Sequence, residues 1–182
     1  ADEIGPGFHA RFSATSRTYR YVISASKTRP AILASGVTWV KFPLDPGAMQ
    51  QACQYLLGEQ DFSAFRGAGC QSLSPFRNVT SANIYSLGQL LIFEVSANAF
   101  VLHLVRNMVA ALLEVGYARP HPTWIKPLLP GPDPRQTPAP PPPPALYPVA
   151  PHSPPPFASP HPPHPTTPPQ GHRAHPRPPP PP

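Results

Sequence analysis

Proline is distributed very unevenly along this chain, and no other feature of the sequence restricts its possible folds as strongly. Of its 34 prolines, five precede residue 120 and the other 29 fall within the last 63 residues. Proline fixes φ and lacks a backbone N–H, so such a segment cannot form helix interiors or central strands. It also has too few large apolar side chains to offset the entropy of ordering. We therefore expect one folded domain over residues 1–130 and a disordered, proline-rich, low-complexity tail over residues 131–182.

Basic residues concentrate near the start of the chain. The net charge is +6, and no acidic residue stands between Glu3 and Asp45. The basic residues at its start are Arg11, Arg17, Arg20, Lys27 and Arg29. A stretch of this kind suits an anionic partner, usually a nucleic acid, and a solvated cationic face is the alternative. Charge alone leaves both open.

The cysteines and histidines predict neither a disulfide framework nor a designed metal site. Cys53 and Cys70 have no metal-ligand spacing around them, and the histidines of the tail are irregularly spaced between prolines. This cysteine usage fits a reducing cytosol. The N-terminus is acidic with no apolar run behind it, and polar residues interrupt the longest apolar stretch, residues 99–118. Neither a signal peptide nor a membrane span is expected.

Local sequence signals predict an α+β fold with an antiparallel or mixed sheet and flanking helices. Asp45 and Pro46 are typical of a helix start and Gly58 of its end, while Asn98 and Gly116 bracket a second helix. In chain order, we expect strands at 17–23 and 37–40, a helix from 46, a capped turn at 61–65, a hairpin of strands 78–85 and 90–97, and a helix at 99–115.

The last of these helices carries the most informative polar residues. It is largely apolar, except along a line at spacings of three and four residues: His103, Arg106, Asn107, Ala110 and Glu114. If the helix is buried, the Arg106 guanidinium needs a carboxylate or phosphate partner, because its donors are costly to leave unpaired. The alternative is the solvent face of an amphipathic helix, and the pattern alone favours that interpretation.

Two further residues invite a functional interpretation. Tyr19 stands between arginines on a predicted strand, where its ring is a platform for a flipped-out base, although packing in the core is the favoured alternative. Asp61 precedes a short turn, and helix capping is favoured over catalysis. No phosphate-binding loop, dinucleotide fingerprint or H-E-x-x-H motif is present. The residues by themselves indicate a basic α+β domain and a candidate RNA binder.

Several segments, in their order and spacing over residues 8–119, resemble the tRNA pseudouridine synthase A family. They are FHARFSAT at 8–15, RTYRY at 17–21, Arg29-Pro30, LGEQDFSAFR at 57–66, Pro75, Arg77-Asn78 and NAFVLHLVRNMV at 98–109. The resemblance implies a cytoplasmic homodimeric enzyme without a cofactor, which isomerises uridine to pseudouridine at positions 38–40 of the tRNA anticodon stem-loop.

The resemblance also assigns roles to individual residues. Tyr19 matches the tyrosine that stacks on the target uracil. Arg106 matches the arginine that pairs with the catalytic aspartate and keeps it ionised, which reverses the interpretation favoured by the helix pattern. The basic stretch near the start of the chain, rather than the resemblance, gives Arg11, Arg17 and Arg20 as the expected RNA-binding residues.

The family's nucleophilic aspartate lies in a G-R-T-D-x-G-V-H motif, and none of the eight acidic residues of this chain stands in such a motif. We therefore expect a fragment that lacks the N-terminal half of the catalytic domain and is inactive alone. The chain also departs from the family at Pro148, which replaces an apolar strand residue. Two alternatives stay open: a non-catalytic tRNA-binding remnant, and an interaction protein whose P-x-x-P segments bind SH3-like or WW-like domains.

Overall fold

The computed structural model describes residues 15–31, 33, 35–129 and 137–152. Within them, six strands form one sheet: β1 (Ser16–Ala25), β2 (Thr38–Val40), β3 (Gly58–Asp61), β4 (Phe76–Leu87), β5 (Leu90–Ala97) and β6 (Leu146–His152). The α-helices of the same residues are α1 (Pro46–Cys53), α2 (Leu104–Gly116) and α3 (Ile125–Leu128). In this part of the chain, no helix is both long enough and apolar enough to cross a lipid bilayer.

The sheet is mixed and mostly antiparallel, which confirms the predicted fold class. Its order is β2-β1-β5-β4-β3, and β6 also pairs with β1. β1 and β2 are parallel, whereas the other neighbouring strands are antiparallel. Because β5 occupies one edge of β1, the strands β2 and β6 share its other edge, β6 along residues 16–21 and β2 along residues 23–25.

Helix α1 begins where its capping signals predict. The Asp45 carboxylate accepts a hydrogen bond from the backbone N–H of Ala48 at 3.0 Å, and Pro46 occupies the first turn. Gly58 follows the helical segment and has a φ of +87°, a backbone conformation that residues other than glycine rarely adopt. It also opens β3, which was not predicted because four mostly polar residues carry no strand pattern.

The predicted hairpin is confirmed as β4 and β5, with Gly88 at a φ of +59° in the turn. The start of the following helix is corrected. α2 begins at Leu104 rather than at residue 99, because the Asn98 side chain accepts hydrogen bonds from the N–H groups of Asn78 and Ala99 instead of capping a helix. His103, with a φ of 64°, then precedes the first helical residue.

The chain beyond residue 131 does not consist of tail alone. β6 extends the sheet into the segment that the sequence assigns to the tail, so for residues 146–152 the expectation of disorder is wrong. β6 pairs only with β1 among the described strands, and proline is compatible with an edge strand, where its missing N–H interrupts no ladder. Pro148 therefore lies opposite Tyr19 without breaking the pairing. Residues 153–182 lie outside the described part of the chain.

The core lies between one face of the sheet and the helices. It includes Tyr21 and Ile23 of β1, Phe93 of β5 and most of α2, which is buried nearly all round. A solvent-facing amphipathic α2 is therefore ruled out. This packing holds α2 against the same sheet face to which Tyr21 belongs, and so positions the candidate site.

Candidate functional site

The two faces of β1 carry different chemistry, because side chains alternate along a strand. Arg17, Tyr19 and Tyr21 point to the face covered by the helices, where Tyr21 has no exposed surface. Thr18 and Arg20 point to the opposite face, where they bond to Ser96 and Glu94 of β5. The candidate residues Arg17 and Tyr19 thus lie on the helix-side face of β1, and the candidate residue Arg20 lies on the opposite face.

Tyr19 is half-buried at the border of the core. Its ring meets that of Phe100 edge to face, with centroids 4.9 Å apart and an interplanar angle of 83°. Val95 of β5 and Pro148 of β6 lie opposite it in the sheet register. An aromatic ring held in this way keeps a defined orientation while part of its surface stays available for contact.

Arg106 and Tyr21 are joined through one stretch of backbone. Arg106 Nε donates to the Pro141 carbonyl at 2.8 Å, and the Tyr21 hydroxyl donates to the Pro142 carbonyl at 2.7 Å. Burial raises the pKa of Tyr21, while its hydrogen bond with Thr38 and the nearby Arg106 charge act in the opposite direction. The guanidinium therefore lies close to Tyr21, two residues along β1 from Tyr19 and on the same side of the sheet.

The partner of Arg106 differs from the one that the sequence suggests. The other charged residue of α2 is Glu114. Glu114 instead pairs with Arg119 at 3.3 Å, and Arg106 bonds the Pro141 carbonyl. A neutral carbonyl satisfies one donor but does not balance the positive charge, so the group can accept an anionic partner.

The expected RNA-binding arginines do not form one cluster. Arg17 shares the helix-side face with Tyr19 and lies opposite Ala97. Arg20 is paired with Glu94 on the other face, and this pair raises the pKa of the arginine. Arg11 lies outside the described residues.

A cavity lies beside the first turn of α2, and the sequence interpretation gave it no role. Its volume is about 240 Å³, and its walls include Arg66, His103, Asn107 and residues 137–140. Arg66, His103 and Asn107 stand within the segments that carry the family resemblance, and His103 and Asn107 also belong to the polar line of the last helix. Asp61, by contrast, accepts hydrogen bonds from the backbone N–H and the hydroxyl of Ser63, at 2.8 and 2.6 Å, and so stabilises the turn before the short helix Ser63–Phe65.

The two cysteines differ sharply in environment. Burial raises the pKa of Cys53 to about 12. Hydrogen bonds from the backbone N–H groups of Leu102 and Ser72, together with Arg66, lower the pKa of Cys70 to about 7. Cys70 thus belongs to the electropositive loop that follows Arg66, whose guanidinium donates to the carbonyls of Cys70 and Ser72.

Comparison with known protein families establishes the relationship. The family model described as tRNA pseudouridine synthase matches residues 52–150, more than half of the chain. The chain belongs to the tRNA pseudouridine synthase family. The match includes α2 with Arg106 and extends to β6, so the family relationship and the sheet both cross the boundary predicted at residue 130.

Relatives from several bacteria support this assignment. The tRNA pseudouridine synthase A of Haemophilus ducreyi is 55% identical over 129 residues, which cover 71% of this chain and 49% of the relative. Its counterpart from Coxiella burnetii is 44% identical over 147 residues, covering 81% and 56%. The protein of that name from Vibrio campbellii is 51% identical over 129 residues, covering 71% and 49%. The chain thus spans about half the length of the curated relatives it matches.

Proposed function

We propose that this chain is part of a cytoplasmic, homodimeric tRNA pseudouridine synthase that converts uridine to pseudouridine at positions 38–40 of the anticodon stem-loop. The observation that carries the proposal is the location of Arg106 and Tyr19 on the same side of the sheet, linked through Tyr21 and residues 141–142. The family relationship adds the reaction, since the relatives are named for it.

Each residue has a defined task in this proposal. The partly available Tyr19 ring stacks on the target uracil after the nucleotide leaves the RNA stack. Arg106 gives up the Pro141 carbonyl and pairs with a catalytic carboxylate. A carboxylate beside a guanidinium stays ionised at neutral pH and can attack as a nucleophile.

The carboxylate itself comes from outside these 182 residues. None of their eight acids stands in the motif of the family nucleophile, and Glu114, an acid on the same helix as Arg106, is occupied by Arg119. These residues therefore bind and position the substrate, and the chemical step needs a further segment that supplies the aspartate.

A hybrid protein tests the proposal. The part of the Haemophilus ducreyi relative that this chain does not match is joined to the chain, and pseudouridine formation is measured on an unmodified anticodon stem-loop. We expect product from the folded hybrid and none from the chain alone or from a hybrid whose motif aspartate is replaced by alanine. A folded hybrid without product would contradict the proposed function, and product from the chain alone would contradict the external carboxylate.

A non-catalytic tRNA-binding role is the second candidate. It is supported by the neutral partner of Arg106, because a carbonyl takes the place that catalysis requires for an acid. In this case the chain binds the stem-loop with an affinity that falls as salt rises, yet the hybrid forms no product.

A further inference from the structure

His103 occupies a backbone conformation that needs an explanation. Its φ of 64° lies in the left-handed region, which residues other than glycine seldom adopt, and it directly precedes α2. Its carbonyl accepts from the N–H of Asn107 at 2.9 Å, so the backbone of His103 takes part in the start of α2. Strained residues of this kind concentrate at functional sites, where the fold holds them in position.

The imidazole of His103 is held against the backbone at Gly67. A Cβ added to Gly67 would lie 2.6 Å from His103 Nδ1, so only glycine allows the ring to lie there. The Gly67 N–H donates to the Leu102 carbonyl at 2.8 Å and fixes the two segments together. The ring is thus oriented by packing, while His103 itself remains exposed and forms part of the cavity wall.

The residues that line the cavity supply both hydrogen-bond donors and acceptors. One nitrogen of Arg66 holds the loop carbonyls, and the rest of the guanidinium stays available at the wall. Asn107 Nδ2 donates to the Phe65 carbonyl at 2.6 Å, which leaves its oxygen as an acceptor. Of residues 137–140, the two prolines can only accept. None of the described residues that line the cavity is acidic.

We propose that this cavity binds one ribose–phosphate unit of the RNA backbone, with His103 and Arg66 on the phosphate and Asn107 on the 2′-hydroxyl. A phosphate needs N–H donors, which a guanidinium and an imidazole both supply, and a 2′-hydroxyl needs a fixed acceptor, which is how a protein distinguishes RNA from DNA. The first turn of the 13-residue helix α2 adds a favourable field for an anion. The cavity wall includes Pro140, next to the residue that bonds Arg106, so the unit bound here would neighbour the target nucleotide of the proposed function.

The proposal rests on the proposed function for its ligand, and a glycine substitution separates the two. His103→Gly removes the imidazole but accepts the left-handed backbone, so a purely structural His103 predicts an unchanged or raised Tm and unchanged RNA affinity. We expect an unchanged or raised Tm with about tenfold weaker binding of the full chain to an anticodon stem-loop RNA. Ala118→Gly is the matched control, because Ala118 has a φ of 55° at the other end of α2. It should leave RNA affinity unchanged.

Direct ligand binding completes the test. Ribose 5-phosphate should shift the imidazole NMR signals that the His103→Gly variant lacks, inorganic phosphate should shift them less, and a DNA stem-loop of the same sequence should bind more weakly than the RNA. RNA affinity within twofold of wild type in folded H103G, or no shift at saturating ribose 5-phosphate, overturns the proposal. If these effects occur while the hybrid enzyme forms no pseudouridine, the binding site stands and the proposed reaction fails. If the hybrid forms pseudouridine and its H103G variant has unchanged kinetics, the proposed reaction stands and the proposed binding site fails.

Discussion

The two faces of β1 show how one strand serves two purposes. On the helix side, Tyr21 lies near Arg106, whose hydrogen-bond partner in the described part of the chain is a neutral carbonyl, and Tyr19 is two residues away along the strand. On the opposite face, Arg20 is neutralised by Glu94 of the adjacent strand. Basic residues that are close in sequence are therefore not equivalent: side-chain alternation places Arg17 on the face of Tyr19 and Arg20 on the opposite face, where it pairs with Glu94 of the adjacent strand.

The largest effect is expected on the helix side, at Arg106. In the hybrid enzyme, Arg106→Ala should lower kcat by about a hundredfold or more, as loss of a charge-stabilising donor does in active sites. Arg119→Ala is the control, because this exposed arginine pairs with Glu114 on the same helix. Single-turnover pseudouridine formation measures both. Equal effects of the two substitutions would remove Arg106 from the site.

A smaller effect is expected at Tyr19, where the ring matters more than its hydroxyl. Tyr19→Ala should make the free energy of stem-loop binding less favourable by about 1–3 kcal/mol, the usual contribution of base–aromatic stacking, and KM should rise accordingly. Tyr19→Phe keeps the ring and should be milder. Titration of both variants with a fluorescent stem-loop provides the measurement. If phenylalanine were as damaging as alanine, the hydroxyl rather than stacking would carry the role.

Side chains on the two faces also contribute differently to the stability of the fold, and a pair of Tyr→Phe substitutions tests this difference. Tyr21→Phe removes hydrogen bonds to Thr38 and the Pro142 carbonyl in a buried place, so it should destabilise the fold by about 1–3 kcal/mol. Tyr85→Phe changes a partly exposed residue opposite Ile92 on the other face and should stay within about 0.5 kcal/mol. Urea unfolding of the two variants measures the difference. A similar loss for both would mean that residues 141–142 do not hold β1.

The elements predicted best from sequence are those with local signals. Asp45 and Pro46 start α1 through contacts within one turn, and Gly88 turns the hairpin through its own backbone freedom. The start of α2 was misplaced because the Asn98 side chain serves Asn78, twenty residues away, rather than its own helix. No local pattern reports such a partner.

The candidate site depends still more on distant contacts. Pattern alone favoured a solvent-facing Arg106, and only the family resemblance suggested otherwise. The bond from Arg106 to Pro141 spans 35 residues, and the bond from Tyr21 to Pro142 spans 121. Composition placed both prolines in a tail. That segment has few large apolar side chains. It is stabilised instead by the pairing of β6 with β1 and by hydrogen bonds from Arg106 and Tyr21, which composition does not indicate.

The smallest effect concerns the arginines on the two faces. Removing one arginine that binds an RNA phosphate should flatten the dependence of log affinity on log salt by about 0.7–0.9. We expect this change for Arg17→Ala, because Arg17 shares the face of Tyr19, and almost none for Arg20→Ala, because Glu94 already occupies the Arg20 guanidinium. Glu94→Gln frees that guanidinium, so Arg20→Ala made in this background should regain a measurable effect. Stem-loop titrations at several salt concentrations test all four proteins. Equal slopes for the Arg17 and Arg20 variants would show that RNA binds both faces of β1, and the division between a binding face and a structural face would then fail.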